Sequence, residues 1–119
     1  TYTPQANGLM TLTLDAVTKL QPLADALKDI SKKIPPDINW VLQVEGHTDR
    51  QPINTPEFRS NWELSTARAV SVVKFLIAQG IPANGLSAAG FGEFQPIDPG
   101  TSPYALARNR RIELKLTSR

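Results

Sequence analysis

The chain has no cysteine, a single histidine and almost no excess of charge of either sign. Among its 119 residues, 13 lysines and arginines are balanced by 11 aspartates and glutamates, for a formal net charge of +2. The lack of cysteine excludes disulfides and thiol chemistry. The near-balance of charge argues against a nucleic-acid or membrane binder that works by charge alone, because such proteins carry strongly basic surfaces.

Long apolar runs are also absent. No stretch approaches the ~20 apolar residues that a transmembrane helix needs, and no signal-like segment opens the chain. With 40% apolar residues, the chain suffices for one domain with a modest core. We assign residues 12–119 to this domain. Residues 1–11 are polar, contain Pro4 and Gly8, and are predicted to form a lead segment or a remnant edge strand.

Hydrophobic periodicity predicts two main helices. Thr13 is the expected N-cap of the first, which ends at Pro35–Pro36, and Pro22 inside it predicts a kink or a late start. Its apolar stripe, at spacings of three and four, consists of Ala16, Leu20, Leu23, Leu27, Ile30 and Ile34. The second helix is predicted over residues 61–79, largely buried, with a capping box formed by Ser60 and Glu63 and a left-handed cap at Gly80.

Alternation of apolar and polar residues predicts strands over residues 40–45 and 111–117, and the small residues of 86–92 are typical of a strand packed closely under a helix. The segments Gln51–Arg59 and Pro96–Pro103 are predicted loops, the former a flap, a partner contact or a solvated insertion. Helices interleaved with a few strands predict an α+β fold, in which a small mixed sheet carries two main helices on one face.

The most informative polar residues flank the start of the second helix. A turn at Gly46 is expected to place Thr48 and Asp49 at the rim of the sheet, while Asn61, Leu64, Ser65 and Arg68 share one helix face. A carboxylate and a guanidinium facing one cleft suit a ligand that carries both an ammonium and a carboxylate. The alternative is a structural salt bridge between Asp49 and Arg68.

Catalytic and cofactor chemistry is not indicated. His47 has no second histidine and no cysteine with which to form a metal set, and we expect it to pack or to hydrogen-bond near the strand end. A triad of Ser65, His47 and Asp49 would lack the Gly-x-Ser-x-Gly elbow. Gly90-Phe91-Gly92 lacks the lysine of a phosphate loop. Trp62 is left open between stacking on a sugar and burial. We therefore predict no enzyme, no cofactor and no metal.

Four spaced motifs occur in order along the chain. They are Gly46-His47-Thr48-Asp49, Asn61-x-x-Leu64-Ser65-x-x-Arg68-Ala69-x-x-Val72, Leu86-Ser87-x-x-Gly90-x-Gly92-Glu93 and Asn109-Arg110-Arg111-Ile112-Glu113. Together they resemble the OmpA-like peptidoglycan-binding domain of OmpA tails, Pal lipoproteins and MotB-type stator subunits. The segment Ser-Asn-Trp-Glu-Leu-Ser and the Gln51–Arg59 insert are most similar to the MotB branch. The Phe-rich motif of the family's first strand is not found, so we expect that strand to be cut away or rewritten.

The resemblance implies a two-layer sandwich that binds the diaminopimelate of the peptidoglycan stem peptide. In the family, the aspartate at the position of Asp49 takes the ammonium and the arginine at the position of Arg68 takes the carboxylate. Arg110 matches a residue on the carboxylate side of the peptide. Further pocket positions are Thr48, Asn61 and Leu64.

The resemblance also implies a setting. It predicts a periplasmic wall anchor without catalysis or nucleic-acid binding, joined to the inner or outer membrane only through an anchor upstream of this sequence. The MotB-like branch implies a flagellar motor stator subunit and a homodimer. The alternatives are the tail of an OmpA-like outer-membrane protein, a Pal-like lipoprotein, or a periplasmic protein–protein interaction module.

Overall fold

The computed structural model describes residues 2–3, 10–15, 20–35 and 37–118, which form one five-stranded sheet and three helices. The elements are β1 (Tyr2–Thr3), β2 (Met10–Asp15), α1 (Leu20–Lys33), β3 (Trp40–His47), α2 (Asn61–Ala78), β4 (Leu86–Gly90), α3 (Pro103–Asn109) and β5 (Arg111–Ser118). The strand order is β1-β2-β5-β3-β4, with β3 and β4 parallel and the other described pairs antiparallel. Within these ranges, no helix is long and apolar enough to cross a bilayer.

The core lies between one face of this sheet and the helices α1 and α2. Successive side chains of a strand point to opposite faces, so alternate residues of β3 and β5 supply the sheet side. The buried apolar residues are Ala24 and Leu27 of α1, Leu42 and Val44 of β3, Ala69, Val72 and Leu76 of α2, Ile81, and Ile112, Leu114 and Leu116 of β5. The predicted α+β sandwich with two main helices on one face is confirmed.

The predicted start of the first helix is wrong. Thr13 lies within β2, which pairs antiparallel with β5 from Met10 opposite Leu116 to Asp15 opposite Arg111. The segment Met-Thr-Leu-Thr-Leu-Asp alternates with the period of two that suits a strand, and β5 offers it a complete ladder of backbone partners. A strand that precedes the first helix is therefore present, although its sequence differs from the Phe-rich motif.

Helix α1 instead begins at Leu20, which explains Pro22. In the first turn of a helix the backbone N–H groups have no partner within the helix, so a proline there removes nothing. Of the two alternatives for Pro22, a kink or a late helix start, the structure confirms the late start. Leu27 is buried and Ile30 and Ile34 pack against the core, as the apolar stripe predicted, while Ala16 lies outside the described residues.

The turn predicted at Gly46 is also wrong, because β3 continues to His47. Gly46 is required for another reason: a Cβ there would collide with the backbone carbonyl oxygen of Ser65 in α2. A Cβ at Gly90, its partner on β4, would meet Thr66 and the hydroxyl of Ser65. The two glycines thus let the first turns of α2 lie directly on β3 and β4.

Helix α2 follows its predicted bounds closely, with Ser60 as N-cap and Gly80 at φ +100 after its last turn. The capping box differs in detail: the Ser60 hydroxyl oxygen accepts from Trp62 N–H, and Glu63 accepts from that hydroxyl at 2.6 Å. Within this helix, which was predicted to be largely buried, Ile77 is 43% exposed. Helix α3, which we did not predict, begins at Pro103, where Ser102 caps it by accepting from Ala105 N–H at 3.1 Å.

Candidate functional site

Thr48 and Asp49 directly follow β3 and are held in place by backbone contacts. The Thr48 N–H donates to the Gly92 carbonyl at 2.9 Å, and the Thr48 hydroxyl donates to the Asp49 carbonyl at 2.9 Å. The Asp49 carboxylate accepts from the Gln51 N–H at 2.9 Å through Oδ1. Both residues are buried, so the strand end presents a carboxylate in a rigid, largely enclosed position.

Arg110 occupies the other oxygen of this carboxylate. Its Nη1 donates to Asp49 Oδ2 at 2.6 Å, although 61 residues separate the two in sequence. Arg110 lies between the end of α3 and the start of β5, and β5 pairs with β3 so that Arg111 is opposite His47. The pairing of β3 with β5 therefore brings the two residues together.

Arg68 enters the same region from α2, two turns into the helix. Its Nη1 donates to the carbonyl oxygen of His47 at 3.3 Å, and no described carboxylate lies within ion-pair distance of it. Burial of the guanidinium, and then the positive charge of Arg110, lower the pKa of Arg68. The alternative of a direct Asp49–Arg68 salt bridge is thus not what the structure contains.

Asn61 connects the site to two neighbouring segments. Its Nδ2 lies 3.3 Å from the Asp49 carbonyl, 3.1 Å from the Gln51 carbonyl and 3.3 Å from Glu93 Oε1. Asn61 is buried at the first position of α2. Glu93 was in a recognised motif, but sequence reasoning gave it no role.

Leu64, the remaining predicted pocket residue, is half-buried and lies one residue before the fully buried Ser65. Ser65 is itself a polar contact that we did not predict, since its hydroxyl accepts from the Gly92 N–H at 3.0 Å. That bond ties α2 to the segment that also receives the Thr48 N–H. Described contacts therefore link Thr48, Asn61 and Arg110 to Asp49 at one end of β3. Arg68 reaches the same strand end through the His47 carbonyl, and Leu64 flanks the group.

A buried polar cluster lies behind the site, on the sheet face opposite the core. His47 is 1% exposed, stacks on Phe91 at 5.1 Å, and has its Nε2 3.5 Å from Glu45 and 3.7 Å from Glu113. Arg111 donates to Glu113 at 2.6 Å, and Lys115 lies 3.3 Å from Glu45. Burial raises the pKa of Glu45, but its contacts with His47 and Lys115 outweigh burial, and the net pKa is lowered.

This cluster is also where a cation would find ligand atoms. One atom each of Glu45, His47 and Glu113 lie within 4.8 Å of one another. Arg111 and Lys115 already neutralise the two carboxylates, so a divalent ion would add an uncompensated buried double charge. In the sequence, Gln43, Glu45 and His47 alternate with other residues of the strand, and this pattern indicates a polar face. The pattern does not indicate that the face is buried.

An exposed aromatic pair borders the start of α2. Trp62, whose exposure the sequence left open, is 52% exposed and stacks on Phe94, which is 61% exposed, at a centroid distance of 5.0 Å. Trp62 also lines an open groove of about 480 Å³, whose other lining residues are Glu57, Phe58, Glu63, Thr66 and Ala67. The predicted Gln51–Arg59 loop therefore forms one wall of a surface groove.

Comparison with known proteins agrees with this architecture. The OmpA family matches residues 6–110. Motility protein B of Bacillus subtilis (strain 168) is 35% identical over 99 residues, which are 82% of this chain. The crystal structure of the periplasmic domain of Helicobacter pylori MotB superimposes with a TM-score of 0.81 at 25% identity, covering 99% of this chain and 88% of that chain.

A second solved structure is the cell wall anchor of the T6SS from Pseudomonas aeruginosa, with a TM-score of 0.72 at 30% identity over 92% of this chain and 82% of that chain. The present chain spans only 37% of the length of the Bacillus protein. The similarity thus concerns a domain-sized part of that relative. Because the family match extends over most of the sequence and continues through the residues at the end of β3, the chain belongs to the OmpA family.

Proposed function

We propose that this chain binds peptidoglycan without modifying it, through the diaminopimelate of the stem peptide, and so anchors a larger envelope protein to the cell wall. The observation that carries the proposal is the placement of Arg68. It donates to the carbonyl oxygen of His47, two residues before Asp49, yet does not pair with Asp49. Arg68 is therefore a positive side chain with no described carboxylate partner, and it lies at the same strand end as the negative Asp49, so the two charges match those of a zwitterion.

The expected strength of binding follows from the two anchors. An arginine meets a carboxylate with two parallel hydrogen bonds, a geometry that lysine cannot reproduce. Each charge-assisted bond contributes about 1.5–3 kcal/mol, against several kcal/mol lost on association. A site of this size is therefore expected to bind with micromolar affinity, about 8 kcal/mol. Firm anchoring would come from several tethered domains that engage a dense array of stem peptides.

The specific setting that we propose is the wall-binding part of a MotB-like stator subunit of the flagellar motor, located in the periplasm and working as a homodimer. The support is the likeness to Motility protein B and to the MotB periplasmic domain. The membrane anchor would then belong to a part of the full-length protein outside this sequence. The tail of an OmpA-like or Pal-like protein is the alternative with the same chemistry, and the type of anchor distinguishes them.

A second candidate function has one observation in its favour. The Asp49–Arg110 pair already neutralises the buried carboxylate, as a purely structural ion pair would. On that reading the chain is a periplasmic protein–protein interaction module whose exposed Trp62–Phe94 pair contacts a protein partner. The two functions differ in whether the site recognises the wall.

Sedimentation with purified sacculi tests the proposal. We expect Asp49→Asn and Arg68→Lys each to weaken binding by about tenfold or more, the loss of one charge-assisted contact. The matched controls are Asp98→Asn and Arg108→Lys, since these two residues pair with each other across 3.4 Å and neither has a described bond to Asp49. Circular dichroism checks that each variant is folded.

Unchanged sedimentation of both site variants would favour the interaction module. The same incubation tests the absence of catalysis, because a wall-binding domain should release no soluble fragments from sacculi. Release of fragments by the wild-type chain, but not by a heat-denatured sample, would contradict the non-enzymatic part of the proposal.

A further inference from the structure

The Asp49 carboxylate is closed to an external ammonium. Its side chain is 8% exposed, Oδ1 accepts from Gln51 N–H at 2.9 Å and Oδ2 accepts from Arg110 at 2.6 Å. A bound ammonium needs a charged oxygen within hydrogen-bond distance, and in this almost fully buried side chain each oxygen already accepts a hydrogen bond. Ligand binding at Asp49 therefore requires that one existing contact be given up.

Arg110 is the partner that can move. The Gln51 contact is made by a backbone N–H that lies next to the buried Asp49, whereas the Arg110 side chain is 42% exposed. Its described side-chain bond is the one to Asp49. An arginine side chain has many rotamers, and an exposed one exchanges between them on a picosecond to nanosecond timescale. Release of Arg110 thus needs no change in the backbone.

The neighbouring Arg68 indicates where the Arg110 guanidinium could bind a ligand after it leaves Asp49. Arg68 donates to the carbonyl oxygen of His47 at the same strand end as Asp49, and its pKa is lowered in part by the charge of Arg110, so the two guanidinium groups repel each other in the space around this strand end. A carboxylate entering that space would meet both guanidinium groups and relieve their repulsion. A ligand with an ammonium beside a carboxylate would then convert one ion pair into two.

Resting on the proposed function, we propose that Arg110 is an exchangeable counter-ion. It covers Asp49 in the free protein. The ammonium of the bound diamino acid replaces it there, and Arg110 moves to the carboxylate of the same ligand. The exchange makes Arg110 a determinant of specificity. A lysine side chain, which has an ammonium but no adjacent carboxylate, would break the Asp49–Arg110 pair and leave Arg110 without a new partner.

Calorimetric titration with two matched peptides tests this exchange. They are a stem tripeptide ending in diaminopimelate and the same tripeptide ending in lysine. We expect the wild-type chain to bind the lysine peptide at least about tenfold more weakly, because one charge-assisted contact is missing. In Arg110→Gln we expect the lysine peptide to bind about fivefold or more tightly than it binds wild type, while the diaminopimelate peptide binds more weakly.

Arg108→Gln is the matched control. Arg108 lies in α3, two residues before Arg110, is 46% exposed at its side chain and is paired with Asp98 at 3.4 Å, so its removal changes net charge equally without opening Asp49. Discrimination between the two peptides should be unchanged in this variant. No gain in lysine-peptide affinity in Arg110→Gln would overturn the exchange, since Arg110 would then not be a barrier.

A measurement on the wild-type protein decides the matter if Arg110→Gln does not fold. The side-chain ¹⁵N resonances of Arg110 and Arg68 should both shift when the diaminopimelate peptide is added, and a structure of the complex should place Arg110 beyond 4 Å from Asp49. Binding with the Asp49–Arg110 pair intact would refute the exchange and leave the proposed function standing. Failure of the wild-type chain to bind the diaminopimelate peptide would refute the proposed function itself.

Discussion

Substitution of Gly46 by alanine tests how the site is held together. A Cβ at this position would collide with the backbone carbonyl of Ser65 and lie 2.9 Å from its carbonyl carbon. The obstacle is backbone of a packed helix, so no side chain can rotate away, and α2 must move from β3. Overpacking of this kind costs up to about 3 kcal/mol. At about 4 °C per kcal/mol for a domain of this length, the melting temperature should fall by up to about 12 °C.

Urea unfolding followed by tryptophan fluorescence measures the loss, and Gly80→Ala is the control. Gly80 has φ +100, but its nearest neighbour to a Cβ is the flexible end of Lys28 at 3.9 Å. That variant should therefore lose only the left-handed backbone penalty, about 1–2 kcal/mol. Gly46→Ala should also weaken sacculus binding, because Arg68 moves with α2 relative to Asp49, whereas Gly80→Ala should not. A Gly46→Ala variant as stable as Gly80→Ala would refute the argument from close packing.

Two further predictions concern residues around the site. Because the folded pKa of Glu45 lies below its ordinary value of 4.5, its stabilising contribution is complete above that pH and is lost as pH falls through the folded pKa. Acid unfolding monitored by circular dichroism should therefore show a shallower loss of stability below about pH 4.5 in Glu45→Gln than in wild type, and parallel curves would contradict this. Asn109→Ala should lower the free energy of unfolding by about 2–3 kcal/mol in urea titrations, since it removes three hydrogen bonds. They are bonds of 2.8–3.0 Å to the backbone of Ile97 and Asp98, and a loss below about 0.5 kcal/mol would show that this loop is not held by Asn109.

Much of the fold was predictable because its patterns are local. The bounds of α2 follow from Ser60 and Gly80, and β5 from its alternation. The strand β2 was missed because a threonine before an aspartate also suits a helix start, and only the ladder with β5 decides between the two. Helix α3 was missed although Ser102 and Pro103 are a recognised N-cap and first-turn pair. A helix as short as α3 has too few residues for hydrophobic periodicity to indicate it.

The sequence indicated which polar residues lie close together at the candidate site, but not which of them form a pair. Their predicted positions pointed to Asp49 and Arg68, the family resemblance added Arg110, and the structure brings all three to the end of β3. Which arginine pairs with Asp49 depends on the register between β3 and β5, and no local pattern encodes a contact across 61 residues. The burial of His47 was hidden for a similar reason, since Phe91, which stacks on it, lies far along the chain.

The position of β3 in the sheet has a mechanical consequence. This strand is hydrogen-bonded on both sides, to β5 and to β4, and Asp49 follows its end directly. Tension applied through a ligand held at Asp49 would run along the strand axis and load two ladders of backbone bonds in shear, all at once. An attachment point at an edge strand would instead open its bonds one after another. If this domain does tether a protein to the wall, the ligand is attached at the strand where the sheet resists pulling best.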